Sequence, residues 1–151
     1  MTSRFWTWML AGSSFLGILV MVYLTVLHYS ATGSSWCNLG QGFNCDIVNK
    51  GIYSTVDGLI NLVLGTNIWF LLPNAVLGVI SFSIVFLGSL ALLSGGAGKK
   101  TRVSLRVLAV LNVLFALTLI TISAFVVHTW CLFCLIGDGI IAVSTIAAFK
   151  L

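Results

Sequence analysis

Four cysteines fall in two pairs along the chain, Cys37 with Cys45 and Cys131 with Cys134, the second a C-x-x-C. Cysteines in that pattern suit thiol-disulfide exchange, in which a thiolate attacks a disulfide and passes the bond on. Two pairs within reach of each other can therefore conduct a two-electron change. Whether they lie on one side of a membrane decides whether they form a relay or a set of staples.

The elements that position them are membrane spans. The 151 residues are 60% hydrophobic and 7% charged, too little polar surface for a water-soluble fold. Four apolar runs are each long enough to cross a bilayer: Phe5 to His28, Pro73 to Leu93, Val107 to Val127 and Trp130 to Ala148. The first exceeds a typical signal-peptide core and lacks a small-x-small cleavage site, so it reads as a retained helix. Residues 1–151 are expected to form one membrane domain, an all-α four-helix bundle.

Basic flanks mark the cytoplasmic side. Arg4, Lys99, Lys100, Arg102, Arg106 and Lys150 fall on one face of the expected topology, and only Lys50 on the other. The formal charge of +4 follows from this bias and gives no reason to invoke nucleic acid. Both termini are thus expected in the cytoplasm, and all four cysteines at the opposite, oxidising face.

The long first connection, from about Tyr29 to Leu72, holds Trp36-Cys37-Asn38-Leu39-Gly40-Gln41-Gly42-Phe43-Asn44-Cys45-Asp46. Its glycines leave the cysteine pair supple enough to close or open a bond. The stretch from Gly58 to Leu72, broken by Asn61, Gly65 and Asn67, is too short and polar to span and is expected to lie at the interface as a short lid helix. Trp69 and Phe70 read as interfacial anchors. Pro73 suits the first turn of the second span, and Asn74 beside it reads by itself as a residue that satisfies backbone groups at the helix start. His28 and His128 sit where interfacial histidines are common. Gly95 to Thr101 lacks phosphate-loop spacing and follows a membrane helix, so it is a turn.

At the head of a helix, Cys131 and Cys134 meet the partial positive charge that favours a thiolate. Two rival readings remain: a zinc site using both pairs or His128, and two structural disulfides. Against zinc stand the loose seven-residue spacer and the oxidising compartment. Against staples, a C-x-x-C ring constrains almost nothing.

These residues resemble the vitamin K epoxide reductase family over nearly the whole chain. The shared features are four helices, a C-x7-C loop pair with Cys37-Asn-Leu-Gly and Cys45-Asp-Ile-Val, a lid, Pro73-Asn74-Ala-Val-Leu-Gly78, and a C-x-x-C opening the fourth helix. The bacterial and archaeal members oxidise thiol partners using quinone. The resemblance implies that Cys37 exchanges with a separate thioredoxin-fold (DsbA-like) protein, Cys45 relays electrons inward, Cys131 links transiently to Cys45, and Cys134 faces the quinone. It also moves Asn74 from a backbone role to a hydrogen bond on a quinone oxygen.

Two positions depart from the animal members. Their Tyr four residues past the last motif cysteine is Asp138 here, and their Ser six residues past the second loop cysteine is Gly51, with Tyr53 and Ser54 following. Asp138 is the one acid inside an expected span, where a carboxyl is costly unless neutral or paired. It either manages protons in a quinone pocket or caps a Gly137-Asp138-Gly139 break, and the break is the preferred reading. Tyr53 and Asp138 join Asn74 and Cys134 as candidate quinone contacts.

The expected function is transfer of electrons from the thioredoxin-fold partner through both cysteine pairs to a lipid-soluble quinone of the menaquinone, ubiquinone or vitamin K type, with no metal. The output would be disulfide formation outside the cytoplasm. The alternatives are a vitamin K epoxide or quinone reductase of the endoplasmic reticulum, and a non-catalytic membrane protein with structural disulfides or zinc.

Overall fold

A computed structural model describes residues 2–33, 37, 38, 40, 42–69 and 71–151. Trp36, Leu39, Gln41 and the expected anchor Phe70 lie outside the described residues. Four long helices dominate: α1 (Thr2–Tyr29), α4 (Asn74–Leu93), α5 (Lys99–Ile122) and α6 (Leu132–Lys150). All four are long and apolar enough to cross a membrane, as an unbroken apolar run of about 20 residues requires. Between α1 and α4 sit two short helices, α2 (Cys45–Lys50) and α3 (Val56–Leu64), joined by a 3₁₀ turn at Ile52–Ser54. Among the described residues no strand forms, only isolated bridges.

α1 is the hub, packed on α4 and α6, while α5 leans mainly on α6 and touches α4 sparsely. The chain alternates direction, so the beginnings of α1 and α5 and the ends of α4 and α6 share one end of the bundle. A core of Leu10, Val85, Leu105, Ala109, Ala147 and Ala148 fills that end. The other end is filled by Leu24, Leu27 and Ala75 around Cys37, Cys45 and Cys131. The six basic residues of the charge bias thus lie at or near the end remote from the cysteines.

Lipid offers no hydrophobic drive for helix association, so close packing and hydrogen bonds hold the bundle. A side-chain carbon added at Gly17 of α1 would come within 2.6 Å of the Phe82 ring on α4. One added at Gly78 of α4 or Gly137 of α6 would meet the Met21 side chain at 2.7 and 2.8 Å. These three glycines let α1 press its neighbours at van der Waals distance. Ser13 and Ser144 tie α1 to α6 through their hydroxyls at 2.9 Å, and Ser81 Oγ donates to Asn112 Oδ1 between α4 and α5 at 2.8 Å.

Three boundaries differ from the sequence reading. α5 begins at Lys99 rather than near Val107, because Lys and Arg are good helix formers that carry the helix past its apolar run. The Arg106 guanidinium Nε donates to the Ala148 carbonyl near the end of α6. The lid helix runs over Val56–Leu64, not Gly58 to Leu72: Thr55 caps it by accepting the Gly58 N–H, and Gly65 ends it in the left-handed conformation (φ 64°). Trp69 beyond it is exposed. Pro73 sits as the residue before α4 rather than inside its first turn.

α6 is continuous through Gly137, Asp138 and Gly139. The expected break there does not exist, and Asp138 is a mid-helix residue. Helical backbone bonds need no cap at that point; Gly137 serves packing against Met21, while a carbon added at Gly139 would meet nothing within 4 Å.

Overpacking a tight contact costs about 1–3 kcal/mol. Gly17→Val is therefore expected to lower the thermal unfolding temperature in detergent by displacing Phe82, itself 2% exposed. Gly12→Ala, where an added carbon meets nothing within 4 Å, is expected to leave it unchanged or raised.

Candidate functional site

The redox cysteines meet because two turns dock on each other. α5 ends in a π-helical turn, Ser123–Val127, closed by His128 in the left-handed conformation (φ 54°). The Ser123 hydroxyl donates to the Thr129 carbonyl at 2.6 Å. This closure delivers Trp130 to the loop, where its N–H donates to the Gly42 carbonyl at 3.0 Å and its carbonyl accepts the Asn44 N–H at 2.9 Å. Each docked residue is followed by a cysteine: Asn44 by Cys45 and Trp130 by Cys131.

α2 then fixes the loop to α1. Asn44 caps it, its Oδ1 accepting the Ile47 N–H at 3.0 Å. Asn49 donates to the Leu24 carbonyl at 2.7 Å, and His28 Nδ1–H donates to the Asn49 carbonyl at 2.6 Å. Asp46 pairs with Lys50 at 3.0 Å and accepts from Asn38, the neighbour of Cys37, at 2.7 Å. The histidine expected only to mark the interface is thus a clamp on α2, which sequence reading had not assigned as a helix.

Cys37 and Cys45 are disulfide-bonded, with Cα atoms 5.5 Å apart, and Cys131 and Cys134 likewise at 5.1 Å. The sulfurs of Cys37, Cys45 and Cys131 all lie within 4.8 Å of one another. All three residues are buried. Cys131 is the N-cap of α6, its sulfur accepting the Cys134 N–H at 3.2 Å. A thiolate formed there is met by a backbone donor and the positive end of the helix.

Beneath the cysteines a cavity of about 450 Å³ opens between α4, α5 and α6. Its lining is mostly apolar, with Met21, Phe82 and Phe115 among the walls, and Trp130, Cys131 and Cys134 at its redox edge. Asn74, Tyr53 and Asp138 line it too, so the four residues suggested as quinone contacts, Cys134 included, surround one space. Asn74 makes no cap for its own helix: its Nδ2 donates to the Tyr53 carbonyl at 3.0 Å, and its buried Oδ1 has no partner among the described residues. Asp138 stands one helical turn beyond Cys134 on α6. Tyr53 contributes its backbone to the Asn74 bond, a role that needs no phenol. His128 shapes the turn rather than lining the cavity.

Sequence reading did not single out Ser81 and Asn112, which also line this cavity. The signal was present: Ser81 lies seven residues, two turns, from Asn74 and so on the same face of α4, and Asn112 is a lone amide in an apolar run.

Apolar walls with a disulfide at the rim fit a flat apolar ring, and the orphaned Asn74 Oδ1 can accept an O–H such as a quinol head group carries. Residues 8–149 match the sequence model of the Vitamin K epoxide reductase family. No curated protein matches the chain. With nearly its whole length covered, and with a redox role of that family's type supported by its clustered cysteine pairs, the chain belongs to the vitamin K epoxide reductase family.

Proposed function

We propose that the protein is a thiol:quinone oxidoreductase that oxidises a thioredoxin-fold partner and reduces a membrane quinone, supporting disulfide formation. The observation that carries this reading is the mutual approach of the Cys37, Cys45 and Cys131 sulfurs within 4.8 Å, with Cys134 lining the apolar cavity. One residue of the relay reaches the loop and another reaches the cavity. The charge bias supports cytoplasmic termini and an extracytoplasmic cysteine end in a multi-pass cell-membrane protein.

The steps balance as disulfide exchange. A partner thiolate attacks Cys37, breaking the Cys37–Cys45 bond, and the partner's second thiol resolves the mixed disulfide, leaving the partner oxidised and Cys37 and Cys45 reduced. Cys45 attacks Cys131, forming Cys45–Cys131 and releasing Cys134 as a thiolate. Cys37 then attacks Cys45, restoring the loop disulfide and releasing Cys131 beside its helix N-terminus. Reoxidation of Cys131 and Cys134 to their disulfide passes two electrons and two protons inward. A bound quinone supplies the acceptor and leaves as the quinol. Asn74 and Cys134 hold the ring, Asp138 presents a carboxyl at the cavity wall that can pass a proton to it, and the apolar residues exclude water. Asp138 in place of the animal tyrosine supports quinone rather than epoxide as the substrate.

The same approach of three sulfurs would suit a thiolate metal site, and the test separates the two. Detergent-purified protein, given a reduced thioredoxin-fold donor and a quinone, is expected to turn over. Cys131→Ala or Cys134→Ala abolishes quinone reduction, and the Cys37 thiol freed in Cys45→Ala attacks the disulfide of a donor supplied oxidised and forms the mixed disulfide with it. A parent that shows no donor-dependent quinone reduction but copurifies with stoichiometric zinc would overturn the relay.

Asp138→Asn is expected to slow quinone reduction by about 10²-fold, the scale of a lost general acid, while the mixed disulfide at Cys37 forms at the parent rate. Stopped-flow quinone absorbance and quenched-gel trapping read the two steps apart.

A further inference from the structure

The polar residues of the cavity fall at two depths. Asn74 and Cys134 stand near the cysteine end. Ser81, seven residues deeper on α4, and Asn112 on α5 form the inner level, tied by the Ser81 to Asn112 Oδ1 bond at 2.8 Å. That bond uses only the acceptor of the Asn112 amide. Its Nδ2, with two N–H donors, has no partner among the described residues, and Asn112 belongs to the cavity wall. An uncompensated donor inside a membrane protein is costly.

We propose that Asn112, oriented by Ser81, is an inner hydrogen-bond donor of the quinone site, receiving the ring oxygen that points away from Asn74. This rests on the quinone reading above. Seven residues of helix carry Ser81 about 10.5 Å along α4 from Asn74, so the amide tied to Ser81 belongs to a level about two turns deeper in the cavity. An isoprenoid tail offers no acceptor, so it is the head group that lies at the Asn112 depth. The tail then leaves sideways, and the sparse contact between α4 and α5 gives it a gap next to the Ser81–Asn112 tie.

A tie between helices would be the structural alternative, and ligands differing by one oxygen distinguish it. Binding of 2-methyl-1,4-naphthoquinone and of 2-methyl-1-tetralone, which keeps a single ketone, is measured by calorimetry on the detergent-purified full chain. Asn112→Leu is expected to weaken the dione by about tenfold, one lost hydrogen bond, and to leave the tetralone within about twofold. Ser81→Ala, which spares the amide and disturbs α5 less, weakens the dione alone by about threefold on the same scale. Equal weakening of both ligands in both variants would show a purely structural tie and overturn the proposal, as would unchanged dione binding. A parent that binds neither ligand removes the quinone reading itself, a result distinct from a parent that binds the dione with Asn112 playing no part.

Discussion

The site depends on one short backbone pairing, in which Trp130 exchanges hydrogen bonds with Gly42 and Asn44. Nothing else in the described residues joins the end of α5 to the first loop so directly. Because Cys45 follows Asn44 and Cys131 follows Trp130, this pairing sets the distance between two disulfides that are 86 residues apart at their nearer members. A shift of one residue in register would turn one of the cysteines away. The π-turn and the left-handed His128 exist on one side of the pairing, and the Asn44 cap on the other, to deliver these segments at the right height.

The membrane and the redox chemistry constrain one another through that height. A buried disulfide at the end of a bundle can exchange with a soluble partner on one side and with a lipid-borne acceptor on the other only if the two pairs bridge the interface. In the proposed relay Cys37 on the loop and Cys134 within α6 would take those two positions, with Cys45 and Cys131 close to each other between them. His28 and Asn49 clamp α2, and with it Cys45, to α1.

The four spans were legible in the sequence because bilayer thickness demands long apolar runs, a signal that survives without any tertiary information. The C-x-x-C at a helix head was legible for the same local reason. A short lid helix was legible, but its bounds and the preceding α2 were not, because caps fix both ends: Asn44 and Thr55 carry the cap signals, yet each begins a helix too short to show periodicity. Asp138 was misjudged because flanking glycines look like a break, whereas Gly137 is small to admit Met21 of α1. Which face Asn112 presents depends on how α5 packs against α4, a tertiary fact that periodicity alone does not fix.

The central claim is that Cys45 and Cys131 exchange directly. A Cys37→Ala/Cys134→Ala double variant leaves only those two thiols, and peptide mass spectrometry after mild oxidation of the purified protein reads their state. The account predicts one intramolecular Cys45–Cys131 disulfide in most molecules. Free thiols at both positions, or cross-links only between chains, would contradict it.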